Sequence, residues 1–198
     1  MRSLGGLFGL GGVLLVGIAN AQPFELGHVL SIRFLEELTA PESDDEIVVI
    51  HEQLGAAVTI HRGHARNEVT YLRGTGNLWA QIAEQIAGAT ARGERMHLEV
   101  QQWDLDTESC PSLSEKISAF VKELDKTASD LWGASNTDGE IIVDNASFLI
   151  ETGAKDASIT IKPSAAFEPP LYKAAEALHQ VASRCTESSE PEVERHDF

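Results

Sequence analysis

The chain has 198 residues, 42% of them hydrophobic, and a formal net charge of −16 at pH 7. That is apolar material for one domain with a proper core, and too much for wholesale disorder. A surface this acidic, with no compensating basic stripe, argues against nucleic acid and leaves cationic partners electrostatically favoured.

Met1-Arg2-Ser3 supplies one positive charge, residues 4–18 carry no ionisable side chain, and Ala19-Asn20-Ala21 closes the stretch with small residues. This is the pattern of a secretory signal peptide over residues 1–21, with cleavage expected after Ala21. No cysteine follows the apolar run, which argues against a lipid anchor. The run is also too short and glycine-rich for a stable membrane span. Loss of Arg2 with the leader takes the formal charge from −16 to −17.

Leu26, Val29, Leu30, Phe34, Leu35 and Leu38 recur at helical spacing, but Gly27 weakens the case. Residues 22–45 therefore read as an N-terminal lead-in, helical or extended, closed by the polar turn Pro41-Glu42-Ser43-Asp44-Asp45. Strands are expected at 46–51, 57–61 and 68–72, forming a meander with one buried face. Asn77 is placed to cap a helix running to about Arg92, with Gly93 as its stop. Met96, Leu98 and Val100 alternate with His97, Glu99 and Gln101 in the next strand, 95–102.

Pro111 opens the best-signposted helix, where Ser112 and Glu115 have capping-box spacing and Leu113, Ile117, Phe120, Val121 and Leu124 share a face. Asp138-Gly139 and Asp144-Asn145 bound a short strand at 141–143, and strands at 146–151 and 158–162 follow. Pro169-Pro170 introduces a last helix ending near Cys185. Residues 186–198 are polar and acidic and read as a mobile tail. The expected fold is a single α+β domain over 46–185, with antiparallel strands in two meanders plus one strand, packed on two or three helices.

Cys110 and Cys185 make an even pair, and in an exported protein such a pair is expected to form a disulfide. The pairing would hold the start of the capped helix against the end of the last one. A nucleophilic Cys110 at a helix N-terminus is the competing reading.

Metal chemistry has two candidate sets. His61, His97 and Glu99, if their strands are neighbours, would offer imidazole and carboxylate donors to zinc or another transition metal for assisted hydrolysis. Asp104, Asp106 and Glu108 follow the first positions of a calcium loop, with Glu115 at the twelfth. However, Ser109 stands where such a loop needs glycine. His51-Glu52-Gln53-Leu54-Gly55 opens like a zinc-protease helix but puts glycine at the second histidine position.

No GxSxG elbow is present, Gly74-Thr75-Gly76 lacks the lysine of a phosphate loop, and no catalytic residue can be named. The expectation is therefore a periplasmic or secreted, non-catalytic binding protein with no cofactor. Its partner would be a protein, a peptide or a component of the cell envelope.

Overall fold

The computed structural model describes residues 23–63, 68–89, 97–134, 148–153, 157–161 and 169–197. Within them the chain runs α1 (Pro23–Thr39), β1 (Glu46–His51), β2 (Ala56–His61), β3 (Glu68–Gly74), α2 (Leu78–Ala89) and β4 (His97–Leu105). It continues through α3 (Pro111–Ala134), β5 (Phe148–Thr152), β6 (Ala157–Ile161), α4 (Pro170–Cys185), a 3-10 turn (Thr186–Ser188) and β7 (Glu192–Asp197). The leader, the strand expected at 141–143 and the glycine stop at Gly93 lie outside the described residues.

The strands form one seven-stranded sheet in the order β6-β5-β1-β2-β3-β4-β7. Every pairing is antiparallel. The architecture is the expected α+β class, with one difference in layering: both faces of the sheet are covered. Ile47, Val49, Val58, Ile60, Val69 and Tyr71 pack under α3 and α4 with Leu113, Ile117, Phe120, Leu171 and Leu178. Val48, Ile50, Ala57, Leu72, Leu98 and Val100 pack on the other side against Phe34 and Leu35 of α1 and Leu78 and Ile82 of α2. The unbroken apolar run Ile47-Val48-Val49-Ile50 in β1 belongs to a strand buried on both sides, and all four residues are buried.

The lead-in is thus a helix that closes the second face, and four helices among the described residues surround the sheet rather than two or three. Gly27 falls within α1, where burial of Phe34 and Leu35 outweighs its cost of about 1 kcal/mol. Asn77 caps α2 as expected, its Oδ1 accepting from the Ala80 N–H at 3.3 Å. Gly55, at φ 59°, turns β1 into β2, and a Cβ there would press on Leu78.

Of three expectations, the first and third are corrected and the second is borne out. First, α3 begins at Pro111, so Ser112 lies inside the first turn rather than capping it, and Glu115 pairs with Lys116 at 3.0 Å. Second, the disulfide Cys110–Cys185 forms, with a Cα–Cα distance of 6.0 Å, which leaves no free thiol and removes the nucleophile reading. It joins the start of α3 to the end of α4, as the spacing implied.

Third, the tail is not mobile along its length, because β7 adds to the sheet beside β4, from Gln102↔Glu192 to His97↔Asp197. Trp103 Nε1 donates to the Ser189 carbonyl at 3.3 Å, and the His196 ring meets Phe34 at 5.8 Å. Backbone pairing carried this strand despite a sequence, Glu192-Val193-Glu194-Arg195-His196-Asp197, with almost nothing to bury.

Candidate functional site

The structure separates the residues proposed for a transition metal. Leu98 and Val100 bury themselves on the α1–α2 face, so by alternation His97 and Glu99 point to the opposite face. His61 alternates with buried Ile60 of the α3–α4 core and shares the α1–α2 side. His61 also sits beside Glu68 at the far end of the sheet from His97, roughly 30 Å away at the rise of a strand. These three side chains do not converge.

The calcium candidates are committed locally. Asp104 accepts from Thr70, while Asp106 Oδ1 accepts from the Glu108 N–H at 2.8 Å. The Asp106 carbonyl accepts from the Cys110 N–H at 3.0 Å and the Ser109 hydroxyl at 2.9 Å. Asp106 builds the turn into α3, and Asp104 bonds across strands to Thr70. Among the described residues no group of three or more His, Cys, Asp or Glu is placed to hold a metal ion.

His61 instead anchors a polar row across four strands. Its Nδ1 lies 3.2 Å from Glu46 Oε1 and its Nε2 3.2 Å from Thr70 Oγ1. Thr70 donates to Asp104 Oδ1 at 3.1 Å. A carboxylate only accepts, so Nδ1 carries the proton of the first link. Acid, imidazole and hydroxyl stand in the order of a nucleophilic triad. Thr70, however, sits mid-strand with its backbone committed to the ladders on either side, and its proton goes to Asp104. A triad of this kind needs oxyanion donors, and paired strand amides are not available for that work. The row ties β1, β2, β3 and β4 together.

A more open feature lies on the α3–α4 face. Ile60 and Arg62, at the end of β2, face Ile117, Ser118, Val121, Lys122 and Asp125 of α3 across a trough of about 540 Å³. Helical spacing explains the α3 wall, since residues 117, 118, 121, 122 and 125 line one side of a helix. Its floor is apolar and its rim carries two cations in a protein of net charge −16. The Arg62 backbone N–H is fixed by the Asp45 carbonyl at 2.7 Å. The Arg62 Nε is buried, with no acceptor among the described residues. Asp125 already has a partner.

Under α4 a third group gathers around His179, which is 2% exposed. Its Nε2 lies 2.8 Å from the Val49 carbonyl. The His51 ring is 5.6 Å away, and Phe148 stands 4.6 Å from His51 and 5.4 Å from His179. Burial holds His179 far below the usual histidine range, at about 3, with His51 adding to the effect. His51 is lowered in the same sense by burial. Burial raises Tyr71, against a bond to Ser183.

Sequence reasoning passed over Arg62, Lys122 and His179. Position 179 follows Ala175 by four residues and so belonged to the apolar stripe of α4, a signal the sequence did contain. Nothing local marked Arg62, which gains its setting from a helix that begins about fifty residues later. Family models, curated proteins and solved structures yield no match to this chain.

Proposed function

We propose that the protein is exported and non-catalytic, and that the trough beside α3 binds an acidic peptide segment with apolar side chains, presented by a partner protein. The observation that carries this reading is the buried Nε of Arg62, without an acceptor among the described residues, at the wall of an apolar trough. Arg62 is only part-buried as a residue, and a carboxylate can take two hydrogen bonds of a guanidinium in one plane. Ile60, Ile117 and Val121 reward aliphatic neighbours of that carboxylate, and Lys122 adds a second cation at the rim.

An open trough suits an extended or helical segment better than a small molecule, which deep pockets enclose. The cationic rim within an acidic surface gives selectivity, because it is where an acidic partner escapes general repulsion. Export is supported by the leader-like residues 1–21 and by the Cys110–Cys185 disulfide, which persists in oxidising compartments.

The test is selection from a random-peptide display library on the disulfide-intact protein. The expected winners place Asp or Glu among Leu, Ile and Val, and lose binding to the Arg62→Ala variant. Basic winners, or winners indifferent to Arg62→Ala, would overturn the reading.

A further inference from the structure

His179 has the arrangement of a metal-binding imidazole without a recognised metal. The carbonyl of Val49 only accepts, so its 2.8 Å contact fixes the proton on Nε2 and leaves Nδ1 as a bare lone pair. That Nδ1 is buried and has no hydrogen-bond partner among the described residues. A desolvated lone pair left unsatisfied is unfavourable, so an occupant is called for. Orientation of a ligating ring through its other N–H by a backbone carbonyl is the usual support for a metal ligand.

A second imidazole lies within reach. The His51 and His179 ring centroids are 5.6 Å apart with planes at 79°, a gap that an ion bonded to one nitrogen of each ring at about 2 Å can bridge. His51 Nδ1 accepts from the Leu54 N–H at 3.4 Å, so ligation through Nε2 moves the ring proton to Nδ1 and gives up this one long contact.

The surroundings choose the ion. Phe148 packs on both rings, Tyr71 lies 6.2 Å from His179, and Tyr172 stacks behind Phe148 at 5.2 Å. Two neutral donors between aromatic walls do not offset a divalent charge or complete four-fold coordination. A soft monovalent ion content with two ligands needs neither, and the aromatic faces favour a cation.

We propose that His51 and His179 form a two-coordinate site for a soft monovalent metal ion, Cu(I) in its biological form and Ag(I) as the air-stable probe. Both cysteines are in the disulfide, so no thiol competes.

The experiment titrates the intact, disulfide-bonded protein with Ag(I) and, under anaerobic conditions, with Cu(I), against a chromophoric competitor. X-ray absorption then reads the Cu(I) coordination. One ion per chain, two nitrogen ligands and a raised Tm are expected. Binding should be lost in both His51→Gln and His179→Gln and kept in His61→Gln. His51 is partly exposed, so its variant reports on binding even if His179→Gln fails to fold. Absence of binding, binding unchanged in His51→Gln, or preference for Zn(II) would each overturn the assignment.

Discussion

His179 shows how one buried side chain sets the acid response of the fold. An unfolded histidine takes up its proton near pH 6.5, whereas burial holds His179 neutral down to about 3. The folded-state value is the lower one. The stabilising contribution is therefore complete above pH 6.5 and is lost as pH falls toward 3, at about 1.4 kcal/mol per pH unit. His51, lowered in the same direction, adds to the loss. Urea unfolding between pH 6.5 and 5, above the range where most carboxylates titrate, should show the midpoint falling. In His179→Gln the slope should flatten, and an unchanged slope would contradict this account. Little of this was readable beforehand: position 179 was visible on the apolar face of α4, but its bond to Val49 depends on a strand 130 residues away.

At the scale of elements, local signals and pairing partners divide the work. The proline entrance of α3, the Asn77 cap and the continuous β-branched run of β1 were legible because each is written in neighbouring residues. β7 was not, because its place is fixed by the open edge of β4 and by Trp103 reaching Ser189. Truncation after Glu190 should expose that edge, lowering Tm and promoting aggregation. A truncated protein with unchanged Tm would return residues 192–197 to the status of a tail.

The disulfide is a second element-level device. It closes a loop with a sequence separation of 75 and, through chain entropy, stabilises the fold by about 4 kcal/mol. Reduction should therefore lower the denaturant midpoint markedly with far-UV circular dichroism retained below it. A midpoint indifferent to reduction would show the α3–α4 contact to be self-sufficient.

For the molecule as a whole, a single antiparallel sheet covered on both faces leaves few places for a ligand among the described residues. The α1–α2 face closes at one end on Leu78 and Ile82 and is crossed elsewhere by the row from Glu46 to Asp104. The α3–α4 face closes over Phe120 and Leu178 and opens where Ile60 and Arg62 leave β2 beside α3. Composition foretold an acidic surface but not this break in it, because Arg62 and Lys122 meet only once α3 lies across the sheet. The direct measurement is a charge exchange across the trough, reading the affinity of a selected acidic peptide by fluorescence anisotropy. The double variant Arg62→Glu, Lys122→Glu should abolish binding of that peptide and gain affinity for its counterpart with lysine at every acidic position. Retention of the acidic peptide by the double variant would place binding elsewhere and contradict the account.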